Sequence, residues 1–305
     1  MTRRTSLGIW AVTGLVVIWV VIWLFPIWNV LASGSKTNQQ YLDSNPWQIP
    51  PLTYAGSQFL RNAQIGLIGD TSASNWAGGS HAGNALLPAV VNSLIYSVFS
   101  AILAIILAAL AAYSLARLPL KGRFVLFMLL FSGTIFPLQM YLVPLFKLYQ
   151  DLNLYDTKLG MLLFYTAICI PFCVFVLRNW FLTIPQEIVE ASQIDGCSRI
   201  QTFWHVFVPL SWGPFLTLFL FQFTWVWNDL IFGLTLARSQ EARPVMTLLA
   251  GLQSMYSDIG IPPVLASAVM ASLPTLILVV SFQKYFFSGL AMGQAVSEGG
   301  TAGQR

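Results

Sequence analysis

Ile184-Pro185-Gln186-Glu187-Ile188-Val189-Glu190-Ala191-Ser192-Gln193-Ile194-Asp195-Gly196 holds three of the chain's 11 acidic residues within nine positions, in a protein of which only 9% is charged. Long apolar runs flank it on both sides. Ile184, Ile188, Ala191 and Ile194 recur at steps of four, three and three, the spacing of one apolar stripe on a helix. Thr183 with Gln186 has the pattern of a capping box. Pro185 is tolerated in a first helical turn, where its missing N–H has no partner to lose, and Glu187 lies near the favourable positive end of the helix dipole. Gly196 suits a left-handed helix end. Ser198-Arg199-Ile200-Gln201 is a second capping-box pattern, so another helix is expected to start at once. The segment therefore reads as a short amphipathic helix, a glycine turn and a second helix.

The flanking runs decide the class. Of 305 residues, 56% are hydrophobic and 14% aromatic, and the mean hydropathy is +0.70. Residues 5–35, 71–116, 124–146, 159–177, 200–228 and 259–283 contain no Asp, Glu, Lys or Arg. Each is about long enough to cross a bilayer core as a helix, and no run alternates in the manner of barrel strands. The expected fold is an all-α polytopic membrane protein with six spans near 8–31, 86–114, 124–146, 158–181, 207–234 and 263–288. Residues 1–7 and 294–305 form the two ends, and 8–293 form one transmembrane domain with a long outer loop at 32–85.

With the N-terminus inside, nine basic residues fall on inner segments and six on outer loops, and the inner loops are far shorter. Arg117, Lys121 and Arg123 in one tight turn are the strongest mark of the inner side. Both termini and the acidic helix are then cytoplasmic. The first span has a basic start, and Val30-Leu31-Ala32 resembles a cleavage site. Its apolar run of about 24 residues exceeds the 7–15 of a signal peptide, so it is expected to be retained.

Several function classes are excluded. The pI near 9.0 comes from basic residues scattered at span ends, which serves orientation and not nucleic-acid binding. The three cysteines build no disulfide framework. Gly34-Ser35-Lys36-Thr37 lacks the upstream Gly and the strand-to-helix setting of a phosphate-binding loop. No His-Glu-x-x-His is present, His81 and His205 lie on opposite sides of the membrane, and no carboxylate pair sits within the spans. The outer loop at 32–85 is polar, punctuated by Trp47, Tyr54, Phe59 and Trp76. The tail after Gly293 is small and polar and is expected to be mobile.

An interfacial helix lying on anionic lipid carries Lys and Arg on its polar face. The helix at 184–196 is acidic, which favours a protein partner. Its residues resemble the EAA motif of ABC importer permeases: Glu190-Ala191-Ser192-Gln193-Ile194-Asp195-Gly196, followed by Phe203 and Pro209, with Ile184-Pro185 and Glu187 upstream. Ser192 stands where that family usually has Ala. Asn92-Ser93-Leu94, the run Ala112-Tyr113-Ser114-Leu115-Ala116-Arg117, Trp227-Asn228-Asp229, Gln283-Lys284-Tyr285-Phe286 and Gly289-Leu290 resemble the maltose-type sugar subgroup. The tail departs from that subgroup by lacking a basic ending.

The resemblance implies a permease without catalytic residues, in which a coupling helix sits in a cleft of a cytoplasmic ATPase subunit. Glu187, Glu190, Ala191, Ser192, Asp195 and Gly196 are the expected coupling residues. The implied partners are a second permease chain, two ATPase subunits that hold ATP and Mg, an external substrate-binding protein, a sugar substrate and membrane lipid. For the translocation path, Asp229 is the only acid expected within a span. Gln222, Trp225 and Asp229 fall at i, i+3 and i+7 and are expected on one helical face, with Asn228 beside them. The structural alternative places Asp229 near the outer interface, paired or hydrated. Gln139 and Tyr141, beside Pro137, are further candidates. Pro137, Pro144, Pro171 and Pro274 are expected to bend spans.

Overall fold

A computed structural model describes residues 3–45, 47–68, 86–254 and 260–302. Trp76, His81 and the last three residues lie outside them. All regular structure among the described residues is helical: α1 Arg3–Gly34, α2 Asn38–Asp43, α3 Leu52–Ile68, α4 Leu86–Arg117, α5 Arg123–Ile135, α6 Leu142–Asp151, α7 Lys158–Thr183, α8 Gln186–Ile194, α9 Arg199–Leu210, α10 Trp212–Trp227, α11 Ile231–Leu236, α12 Val245–Ser254 and α13 Ile261–Ala302. Among the described residues four helices are long and apolar enough to cross a membrane, or up to six spans if two bent pairs each count as one.

The first bent pair bears out the bend expected at Pro137, and the second adds a bend within 207–234 that was not expected. At the first, α5 and α6 meet at 94°. Pro137 forces the residue before it out of the helical region, and Phe136 is extended with ψ 138°. A 3₁₀ turn, Leu138–Tyr141, then leads into α6. At the second, α9 and α10 meet at 72°. Pro209 and Pro214 flank the bend at Ser211, and each withholds an N–H from the carbonyl four residues earlier. The middle of α9 is a π-helix, Phe203–Phe207, with Val208 N–H donated to the Phe203 carbonyl. The chain breaks again after Trp227, so 207–234 is interrupted twice. By contrast, Pro171 and Pro274 lie inside unbroken α7 and α13, and Pro144 sits in the first turn of α6.

Two more expectations change. The segment 32–85 is not wholly loop, because α2 and α3 lie within it. The residues after Gly293 continue α13 through Ala302.

The chain divides into two compact units. The first comprises residues 1–87 and 248–273. Here the end of α1, α3 and the start of α13 pack closely: a Cβ on Gly66 would meet Ser267 Oγ at 1.7 Å, so only glycine permits that approach. Asn62 ties the turn after α1 by donating to the Gly34 and Lys36 carbonyls at 2.7 and 2.8 Å. Thr37 and Gln40 form a capping box on α2. Most of α1, from Ile9 to Ile27, is exposed around its whole circumference.

The second unit comprises residues 88–247 and 274–305. Its core lies around α7. Toward one end, Ala108 and Ala112 of α4 and Cys173, Leu177 and Phe181 of α7 pack with Phe207 and Leu218. Toward the other, Tyr96, Tyr149, Met161, Phe164, Tyr165, Phe232 and Leu236 form a second cluster. Alanines along α4 let α7 approach closely, as small residues do in membrane bundles. At this second end the loop 237–245 is held by four side chains. Asn92 donates to the carbonyls of Glu241 and Arg243, Tyr96 to Ala242, and Ser93 Oγ accepts from Val245 N–H. Asp156 Oδ1 accepts from Arg238 N–H, Ser239 N–H and Ser239 Oγ at 2.7, 2.8 and 3.1 Å.

Candidate functional site: the acidic helix and the polar cavity

The acidic segment does form a helix, turn and helix, but its start differs from the expected capping box. Ile184 and Pro185 are an extended link, with ψ 125° and 141°. That leaves Thr183 as the last residue of α7, its hydroxyl donating to the Trp180 carbonyl at 2.7 Å. Gln186 is engaged elsewhere: its Oε1 accepts from Arg117 Nη1 at 2.9 Å.

Arg117, read in the sequence only as a mark of orientation, is the central fastening. In a continuing helix the Phe181 carbonyl would accept from residue 185, but Pro185 has no N–H. Arg117 supplies the missing donors, with Nε and Nη2 on the Phe181 carbonyl at 3.1 and 2.5 Å. Nη2 also donates to the Ile184 carbonyl, and the guanidinium lies over the Phe207 ring, 5.5 Å from its centroid. One turn earlier on α4, Tyr113 OH donates to the Arg199 carbonyl at 2.9 Å, at the start of α9. The end of α4 thus grips both flanks of α8.

The far end follows expectation. Gly196 has φ +83°, Cys197 N–H bonds to the Ser192 carbonyl at 3.0 Å, and Ser198 with Gln201 completes a capping box on α9. Ser192 turns inward, 7% exposed. Its hydroxyl donates to the Val189 carbonyl at 2.7 Å and lies 3.1 Å from Thr202 Oγ1. A serine at this position therefore ties α8 to α9.

The expected single stripe is divided. Ile184, Val189 and Ser192 face the chain's own core, because the extended link rotates α8 relative to α7. Ile188 (40% exposed) and Ile194 (86% exposed) point to solvent, together with Glu187, Glu190, Ala191 and Asp195. The outward face of α8 is apolar with an acidic margin.

The path candidates separate into two places. Gln222 and Trp225 of α10 line one cavity of about 460 Å³ with Thr134, Ile168, Phe172 and Thr224. Gln222 is buried and its Nε2 donates to Cys173 Sγ at 3.4 Å. Tyr141 lines an adjacent cavity that also meets Gly133 and Ile168, whereas Gln139 is exposed on the 3₁₀ turn. Asp229 is not on the face of Gln222 and Trp225, because α10 ends at Trp227. It sits in the break before α11, where its Oδ2 accepts from Tyr165 OH and Gly233 N–H at 2.9 and 3.0 Å. Capping α11 is what holds it there. Tyr165 packs edge-on against Trp225, with centroids 6.4 Å apart, so the two places share a wall. Asn228 is exposed and donates to the Thr224 carbonyl. Thr134, Phe172 and Thr224 were missed in the sequence because nothing in their spacing distinguishes cavity from packing.

Residues 114–291 match the family model described as binding-protein-dependent transport system inner membrane component. A probable ABC transporter permease of Pyrococcus horikoshii is 37% identical over 60% of this chain and 66% of its own, just under two thirds of that relative. An osmoprotective compounds uptake permease of Synechocystis sp. is 30% identical over 90% of this chain and 88% of its own. A sulfoquinovosyl glycerol transport system permease of Agrobacterium fabrum is 36% identical over 66% and 70%. With the family model matching more than half its length and apolar helices on either side of the acidic turn, this chain belongs to the binding-protein-dependent transport system inner membrane components, the permeases of ABC importers.

Proposed function

We propose that this permease imports a sugar and that α8 is the helix through which separate ATPase subunits drive it. The observation that carries the second part is the outward face of α8. Ile188, Ala191 and Ile194 are exposed beside Glu187, Glu190 and Asp195, on a helix fastened by Arg117, Tyr113 and the Ser192–Thr202 contact. A fastened helix with an apolar, acid-edged face suits a protein cleft with basic residues better than anionic lipid. ATP-driven movement of that cleft would be transmitted to α7 and α9, biasing the spans between two states. The N- and C-termini and α8 are then cytoplasmic, in keeping with the basic turn Arg117–Arg123 lying at the same end of the unit as α8.

A sugar is favoured by the cavity chemistry. Phe172, Phe221 and Trp225 offer ring faces, Gln222, Thr134 and Thr224 offer hydrogen-bonding groups, and among the described residues no charged side chain lines the wall. The relative named for sulfoquinovosyl glycerol supports a hydroxylated solute. Import requires a second permease chain, two ATPases and the external binding protein.

The test uses the reconstituted transporter. Glu190→Lys and Gly196→Pro should leave assembly intact and abolish substrate-stimulated ATP hydrolysis. Normal coupling in either purified variant overturns the assignment of α8.

A further inference from the structure

Lys36 follows α1 by two residues and is only 2% exposed. Its ammonium has three N–H donors, and among the described residues one is used, on the Asn45 carbonyl at 2.8 Å. Among the described residues no carboxylate acts on it: burial alone lowers its pKa. Lys36 lines a pocket of about 210 Å³ together with Gln40, Ser44, Gln48 and Tyr54, with Ile49, Pro50 and Pro51 as walls.

The hydrogen bonds inside that wall set what the pocket offers. Gln40 Oε1 is occupied by Thr37 N–H at 3.1 Å, and Gln40 Nε2 donates to the Tyr54 oxygen at 2.7 Å. Tyr54 therefore accepts from Gln40 and has its own O–H left to donate. Ser44 Oγ donates to the Gln40 carbonyl. What remains is two ammonium N–H groups and the Tyr54 O–H, with the Gln48 amide at the rim. A concave set of donors around a buried cation is complementary to a carboxylate, which accepts only.

We propose that this pocket receives a carboxylate, and that the carboxylate is an acidic side chain of the external binding protein. The choice of source is physical. Three or four hydrogen bonds to a small, free, well-hydrated ion barely offset its lost freedom and hydration. The same bonds to a carboxylate already held at high effective concentration by a docking surface contribute in full. The proposal rests on the importer reading above, which places residues 32–85 outside the membrane.

The experiment takes the complete reconstituted transporter with its binding protein. It measures the binding-protein concentration that half-maximally stimulates ATP hydrolysis. Lys36→Met is expected to raise it at least tenfold with the maximal rate unchanged, and Tyr54→Phe roughly threefold. Replacing chloride with acetate at equal ionic strength should leave it unchanged in the unmodified protein and in Lys36→Met, because a free carboxylate binds too weakly to compete. An unchanged half-maximal concentration in Tyr54→Phe overturns the proposal even if Lys36→Met fails to assemble. Direct acetate binding to the transporter with no effect on binding-protein stimulation overturns the choice of source. Glu190→Lys run in parallel separates the two readings: if it uncouples while Lys36→Met and Tyr54→Phe behave as unmodified protein, the pocket assignment alone fails.

Discussion

Arg117→Ala should loosen α8 while leaving the rest of the second unit intact. The side chain satisfies the Phe181 and Ile184 carbonyls and the Gln186 amide oxygen, all without a helical donor. The amide oxygen is exposed and can turn to water. The two carbonyls are partly buried, and leaving each unsatisfied costs about 1.5 kcal/mol, toward the lower part of the range for such groups. The sum, about 3 kcal/mol, corresponds to roughly a 140-fold rise in the population in which α8 is locally open. Hydrogen exchange read by mass spectrometry, on the protein in lipid nanodiscs, reports that population directly. Peptides covering 186–202 should exchange about 140-fold faster, while peptides within 158–175 of α7 keep their protection. Arg117→Lys retains a charge and part of the donor set, so it should show roughly a tenfold effect. Unchanged exchange at 186–202 in Arg117→Ala would refute the fastening. A uniform loss across the chain would refute its being local.

Four further outcomes are expected. Gly196→Ala meets open space but keeps φ +83°, so it should cost about 1–2 kcal/mol and speed exchange in the same peptides about tenfold; Ser192→Leu should exceed it by overpacking against α9, and Ser192→Ala should cost only about 1 kcal/mol. Asp156→Ala strands three donors of the loop 237–245, a loss of about 2 kcal/mol, and tryptic cleavage after Arg238 and Arg243 should accelerate roughly 30-fold in limited proteolysis. Trp225→Ala removes a ring from the cavity and should lower substrate transport at saturating loaded binding protein about tenfold, with exchange at 186–202 unchanged; an unaltered transport rate would remove Trp225 from the path. Because burial lowers the pKa of Lys36, its charge is present at low pH and lost as pH rises through that value. Stimulation by the binding protein should weaken over that rise, and Lys36→Arg should abolish the dependence.

Legibility in the sequence followed the range of the forces involved. The apolar runs, the charge anomaly at 187–195, Gly196 and the Ser198–Gln201 cap are local features, and each appears in the structure as read. The Thr183–Gln186 cap failed because a contact from α4 competed for Gln186. The face shared by Gln222, Trp225 and Asp229 failed because Asp229 caps the next helix, with help from Tyr165. Pro137 and Pro171 illustrate the same limit. Each withholds one N–H, yet the chain turns by 94° at the first and α7 continues unbroken through the second.

The sequence by itself determined that this is an all-helical membrane protein with an acidic helix set between spans. Burial of apolar surface and satisfaction of backbone groups in lipid leave few other solutions for such a composition. Only the tertiary structure decided which side of that helix faces outward. The direction depends on the extended Ile184–Pro185 link and on Arg117, whose donors arrive from a helix that ends 64 residues earlier than the carbonyl they satisfy. Side-chain direction at such a junction is a property of two segments at once, and neither segment carries it alone.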